Sequence, residues 1–347
     1  MTEPSQSPAS SAVTSGSIPR APIALAFACV GASNLAQIAG DTLFVSAFSL
    51  GDLSKLVGAS AVVRVAASLA YAYLAERVGR GGDARKTARF DGAILAACAA
   101  LSLGSAALAR ADTRATTLAA CLVQLVLPPL LPLIAFNAAT ASLAARHAKR
   151  VLPLVAAAAT LGSIGAGGAA TLLAKMSGAP SLLALAAALS LTAIPLVIIL
   201  GAGDAEPAAP PVSRSDDGFL ATLRSTAGDV REVPSVRVVV LWGALGMMAT
   251  TFIDYAFKAA LKSAYDRDGI AAFLGVFNVV SNAVVLLVQV TIAGRVVSRL
   301  GVGRALVASP AALGAVAAAS LALPAVVGGA ALRFSETLVR YGVASSV

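Results

Sequence analysis

Ten apolar stretches alternate with short polar connections along the chain, at 22–48, 54–79, 89–110, 115–145, 151–175, 179–201, 236–262, 270–297, 302–323 and 325–347. Each is near or above the roughly 20 residues that an α-helix needs to cross the hydrocarbon core of a bilayer. The pattern predicts an all-α polytopic membrane protein. Composition changes between the sixth and seventh stretches. Residues 202–235 hold Asp204, Pro207, Pro210, Pro211, Ser213, Asp216 and Asp217, followed by a more helical run from Phe219 to Val230. This reads as a cytoplasmic linker. It separates a six-helix bundle at 21–201 from a second bundle at 236–347, for which only four helices are visible. Residues 1–20 are rich in Ser, Pro and Thr and lack the charged-then-apolar order of a secretory signal. They read as a disordered cytoplasmic tail.

Composition agrees with the pattern. Apolar residues make up 58% of the 347 and charged residues 12%, whereas a soluble domain is roughly 25% charged. Between helices in a bilayer, close contact of small residues replaces hydrophobic burial from water. The net charge of +9 raises nucleic acid as a partner, but the placement of the basic residues excludes it. They fall in alternate loops: Arg77, Arg80, Arg85, Lys86 and Arg89 after the second span, Arg146, Lys149 and Arg150 after the fourth, Arg214, Arg224, Arg231 and Arg237 around the linker, and Arg295, Arg299 and Arg304 after the eighth. The opposite loops carry fewer, namely Lys55, Arg110, Arg114, Lys175, Lys262 and Arg267. Basic loops stay on the cytoplasmic side, so the amino terminus and the linker are expected there.

The strongest chemical signal is a charged stripe inside the seventh span. Asp254, Lys258 and Lys262 stand at i, i+4 and i+8, on one helix face. An ionisable side chain at bilayer depth costs a few kcal/mol or more unless it meets a partner or a polar cavity. Two readings stand: contact with a substrate or coupling ion, or structural pairing of Asp254 with Lys258 while Lys262 reaches the interface. Asp41 and Arg64, in the first two spans, pair with each other or line a cavity. Asn278, Asn282 and Gln289 form a polar stripe on the eighth span, and Arg333, Glu336 and Arg340 share a face of the tenth. Gln124 and Asn137 are isolated, and a structural role is expected of them. The run Gly162-Ser163-Ile164-Gly165-Ala166-Gly167-Gly168 lacks the Lys-Ser/Thr of a phosphate loop and predicts close helix packing. Cys29, Cys98 and Cys121 lie in apolar spans and His147 is the one histidine. No metal site, cofactor or enzymatic bond chemistry is expected from them.

The two halves resemble each other. Asp41-Thr42-Leu43-Phe44 echoes Asp254-Tyr255-Ala256-Phe257, and Glu76-Arg77-Val78-Gly79 echoes Ser298-Arg299-Leu300-Gly301, in the same order. Paired bundles about a cytoplasmic linker are the organisation of major facilitator transporters. The basic loops resemble that superfamily's cytoplasmic motif, which implies a gating role for Arg77, Arg80 and Arg299. Twelve helices are then expected, and the chain reads as truncated or as a ten-helix protein.

More specifically, Asp254-Tyr-Ala-Phe-Lys258-Ala-Ala-Leu-Lys262, Phe273-Leu-Gly-Val-Phe277, Gln289, Gly301-Val-Gly-Arg-Ala305 and Pro310 resemble the nucleotide (ATP/ADP) translocases of plastids and intracellular bacteria. So do His147-Ala-Lys149-Arg150-Val-Leu-Pro153-Leu154 and Asp41-Thr-Leu-Phe-Val-Ser-Ala. The resemblance implies a carrier in a bacterial inner membrane that exchanges a small anionic solute, such as a nucleotide, by alternating access. Asp254, Lys258 and Lys262 would take the places of that family's acid and two lysines. Asp41, Asn278, Asn282, Arg333 and Glu336 complete the expected substrate surface, with Lys262 as an access-side attractor. The chain departs from the family at Gly40, where a basic residue is expected, at His147, where an acid is expected, and at Thr160, where an Asn is expected. A proton-coupled carrier using Asp254, another small-solute carrier, and a membrane anchor or sensor that retains only the fold are the alternatives.

The charge asymmetry makes a direct prediction. A reporter fused within 204–235 will be cytoplasmic and one fused beside Asp112 will lie on the far side, as read by paired phosphatase and fluorescent-protein fusions. A linker reporter on the far side would defeat the orientation.

Overall fold

The computed structural model describes residues 20–79, 83–111, 113–143, 145–202, 228, 231–288, 291, 313–320 and 322–338. Among the described residues, nine helices carry the architecture: α1 (Arg20–Ala47), α2 (Leu50–Gly79), α3 (Ala84–Arg110), α4 (Arg114–Ala141), α5 (Ala145–Ser177), α6 (Ala179–Ala202), α7 (Pro234–Ala264), α8 (Arg267–Val288) and α9 (Ala325–Thr337). A further helical stretch covers 313–320. Among the described residues, seven helices are long and apolar enough to cross a membrane, namely α1 to α6 and α8. The 31-residue α7 joins them in length. Most of the central linker, the first part of the predicted 302–323 span, the end of the last span, and Arg80, Arg299, Gln289 and Arg340 lie outside the described residues.

Local chemistry explains where the helices begin. Ser49 and Asp52 bond reciprocally at the start of α2. Asp83 accepts from the amides of Arg85 and Lys86 at the start of α3. Those bonds, the Lys86 amide foremost, hold the Asp83 carboxyl below the usual carboxylate range. Thr113 and Thr116 form a reciprocal capping box on α4. Gly178 turns α5 into α6 with φ of 71°, a conformation that glycine adopts without strain. Pro234 begins α7 at a position where its missing N–H costs nothing.

Helix α1 is the hub of the first six helices. Its Leu25, Leu35, Ile38 and Leu43 are fully buried, and it packs against α4, α5 and α6. Two features let neighbours come this close. Small residues remove side chains from the crossings: a methyl group at Gly31 would lie 3.3 Å from the Gly162 carbonyl oxygen, and one at Gly162 would collide with the Phe27 carbonyl. The glycine run in α5 is therefore a packing surface. Polar side chains then join the helices, as when Asn34 donates to Ser163 Oγ at 2.8 Å. Ser33 Oγ also donates to the Pro128 carbonyl at 2.7 Å. Pro132, four residues on, has no N–H to offer that carbonyl, so α1 supplies the donor that α4 cannot.

Helices from before and after the linker meet toward one end of the molecule. Phe257, Leu261, Ile270 and Leu274 join the buried cluster that includes Leu43, Phe44 and Leu182. A second cluster, around Leu25, Leu95 and Leu131, draws only on the first six helices. A close crossing across the linker joins α5 to α8. A methyl group at Gly275 would come within 2.7 Å of the Gly167 carbonyl oxygen, and one at Gly167 would meet the Gly275 oxygen at 2.7 Å.

This crossing has no space for a side chain. Gly275→Leu will destabilise the detergent-solubilised protein by about 1–3 kcal/mol or more through overpacking. Gly168→Ala, which meets nothing within 4 Å, will be neutral or slightly stabilising by helix propensity. Thermal unfolding of the two variants side by side checks both.

Candidate functional site

Two helices converge on one ammonium group, and a third joins their network. The side-chain nitrogen of Lys258 lies 2.7 Å from Asp41 Oδ1 on α1 and 2.7 Å from Asp254 Oδ2 on its own helix. Lys258 is 6% exposed, and the two carboxylates are themselves largely buried. The spacing of Asp254 and Lys258 is the i, i+4 relation that brings side chains together on one face. Arg333 of α9 extends the network, 3.5 Å from Asp254 Oδ1 and 3.1 Å from Glu336 Oε2. Thr250 of α7 donates to Glu336 Oε1 at 3.2 Å. A continuous polar chain therefore runs Asp41–Lys258–Asp254–Arg333–Glu336–Thr250 through α1, α7 and α9.

Buried charges persist only when paired and hydrogen-bonded, because the desolvation of each ion costs several kcal/mol. Here each carboxylate that contacts Lys258 offsets part of its desolvation. The arrangement also ties helices from either side of the linker together. Lys262, one turn on from Lys258, adds a second tie, with its ammonium donating to the Val45 carbonyl at 2.7 Å near the end of α1. That ammonium is committed to a helix terminus, where cations are favoured. It clamps α7 to α1.

Beside Lys258 lies a cavity with about 390 Å³ of atom-free space, its open mouth included. Gln37, Gly40 and Asp41 of α1, Arg64 of α2, and Gln124 of α4 line it together with Lys258. The expected Asp41–Arg64 pair does not form. Asp41 turns to Lys258, and the Nε of Arg64 is buried with no hydrogen-bond partner. Gln124, expected to be structural, is 3% exposed and neither amide atom has a partner. A polar residue beside Pro128 and Pro129 was the available signal, since those prolines interrupt the helix just where Gln124 sits.

The remaining expected residues divide. Arg333 and Glu336 join the charged network. Asn278 and Asn282 do not line the cavity beside Lys258. They bond within their own helix, Asn278 to the Leu274 carbonyl at 3.0 Å and Asn282 to the Asn278 carbonyl at 2.8 Å. Asn137 donates to the Tyr71 hydroxyl at 3.5 Å, and that hydroxyl donates to Asp91 at 3.0 Å. Arg77 is exposed in the last turn of α2. The cysteines are free and buried.

No family profile matches the sequence, and no curated protein matches it. The fold has clear counterparts. The chain superposes on a mutant of the nucleoside transporter NupG with a TM-score of 0.57 at 16% identity, over 94% of this chain and 81% of that one. It superposes on a D-xylose-proton symporter with a TM-score of 0.55 at 13% identity, over 93% of this chain and 80% of that one. The fold is that of the major facilitator transporters.

Removing the central cation tests the network. Lys258→Met will cost about 3–5 kcal/mol of stability by leaving Asp41 and Asp254 together without it. Adding Asp41→Asn and Asp254→Asn to that variant will recover most of the loss, because an all-neutral site has no unpaired charge. Thermal unfolding in detergent reads both; equal stability of the wild type and Lys258→Met would show that the network contributes nothing.

Proposed function

We propose that this chain is a secondary transporter that moves a small polar solute by alternating access, coupled to protons through Asp41, Lys258 and Asp254. The observation that carries this reading is the single ammonium of Lys258 shared by carboxylates on α1 and α7. Alternating access requires helices of the two halves to separate and rejoin around a central site. Separation of α1 from α7 breaks the Asp41–Lys258 contact. With both groups ionised, that leaves a carboxylate short of its partner in a low-dielectric setting, which is costly. A proton on Asp41 removes the cost, because a neutral carboxyl needs no cation. Lys258 then stays with Asp254, which Arg333 also holds. Protonation and helix separation are thereby linked.

A second reading, exchange of a small anion such as a nucleotide, draws on the gathering of Lys258, Arg333 and Arg64 near the cavity. An anionic group would replace Asp41 on Lys258. Against it stands the pairing already made: Lys258 is held by Asp41 and Asp254, and Arg333 by Asp254 and Glu336, which leaves Arg64 as the cavity-wall cation without a carboxylate, too little charge for a polyanion.

Reconstituted liposomes distinguish the readings. Uptake of labelled uridine, D-xylose and ATP would be followed with and without an inward proton gradient, and with ADP preloaded inside. The expected result is gradient-driven accumulation of an uncharged solute, abolished in Asp41→Asn while exchange of that solute persists. ATP uptake that depends on internal ADP and ignores the gradient would establish the second reading. No movement of any solute would remove the transport reading.

A further inference from the structure

We infer that Gln124, with Gln37 and Arg64, recognises the solute, and that the solute is uncharged, presenting a hydrogen-bond donor beside an acceptor. This rests on the transport reading for its purpose, but its physical basis is independent. Gln124 is 3% exposed and lines the cavity, yet neither its amide nitrogen nor its amide oxygen has a partner. Buried polar groups are nearly always satisfied, and those that are not call for an explanation. An amide offers one donor and one acceptor side by side. The group that satisfies both is the reverse pair, as on a pyrimidine edge or between neighbouring sugar hydroxyls.

Three neighbours narrow the class. Arg64 lines the same cavity, and its buried Nε–H, also without a partner, is a donor available to a carbonyl or hydroxyl oxygen. Pro128 and Pro129 have no N–H, so the main-chain carbonyls of Gln124 and Leu125 lack their usual helical donors. Those are acceptors placed beside the cavity without a charge. Gly40 does the rest. A methyl group there would lie 2.9 Å from Gln124 Cβ, so α1 and α4 touch where a longer side chain would displace the amide. Position 40 thus has no space for a cation, and Gln124 fills the wall instead. The other charges nearby are Asp41 and Lys258, which satisfy each other. A multiply charged solute finds only the single charge of Arg64 to spare in this wall, whereas a neutral one finds donors and acceptors for both groups of its pair.

The test is Gln124→Leu in the full chain, read by two measurements. Binding of tritiated uridine and of tritiated D-xylose to the purified protein gives recognition, with ADP as the anionic comparison. Thermal unfolding without solute gives stability. The expected result is binding of at least one uncharged probe by the wild type and weakening of about tenfold or more in the variant, as fits the loss of two hydrogen bonds. Stability of the empty variant should rise, since an apolar side chain of similar shape replaces an unsatisfied amide. A less stable variant would show that the amide serves the fold, and would overturn the inference. Unchanged binding of the uncharged probe would overturn it as well. So would a wild type that binds ADP alone, or none of the three. The stability measurement needs no transport, so its outcome separates failure of this inference from failure of the transport reading, which the liposome experiment decides.

Discussion

A lysine ammonium cannot stand alone in the middle of a membrane bundle, and the structure around Lys258 follows from that constraint. Its partners come from α1 and α7, so the two helices must approach each other and hold their register. Arg333 then balances the second carboxylate from α9, and Glu336 balances Arg333. The network thereby ties α9 to α7, as Lys258 ties α7 to α1. Hydrophobic burial from water has little directing power inside a bilayer. The pairing of buried charges therefore specifies how α1 and α7 meet across the linker, while small residues set the crossing of α5 with α8.

The helices were legible because length and hydropathy are properties of single segments. The spans at 22–48, 89–110 and 179–201 reappear as α1, α3 and α6 within a few residues, and the part of 270–297 within the described residues lies in α8. Where they differ, a cap or a proline explains it: α2 starts early because Ser49 and Asp52 bond each other. The Asp254–Lys258 contact was also legible, since i, i+4 spacing fixes it on one helix. Partnerships between helices were not. Nothing local to Asp41 distinguishes Arg64, one hairpin away, from Lys258, more than two hundred positions on. The choice is made by the path of α1 against α7. The same holds for Lys262, whose partner is a main-chain carbonyl that any residue at position 45 would provide.

Gln124 shows the opposite kind of miss. Its environment was readable as apolar, and an isolated amide in an apolar helix commonly bridges to a neighbouring helix. Its lack of a partner depends on Gly40 opposite and on two prolines downstream, which together turn a bonding surface into a cavity wall. Helix interruption and close approach are each visible in sequence as Pro and Gly. Their coincidence across two helices is visible only in three dimensions.

The glycine seam between α5 and α8 has a mechanical meaning. Main chain approaches main chain there, with the small side chains of Thr171 and Val279 beside it, so rotation about the contact disturbs little side-chain packing. The seam behaves as a fulcrum placed off-centre along the lever. From Gly167 to Ala145, the start of α5, the helix runs on the order of 33 Å at 1.5 Å per residue. A tilt of about 10° at the fulcrum therefore sweeps the far end of that arm through roughly 6 Å. A small angular motion, with little repacking at its pivot, is amplified into an opening at the opposite face.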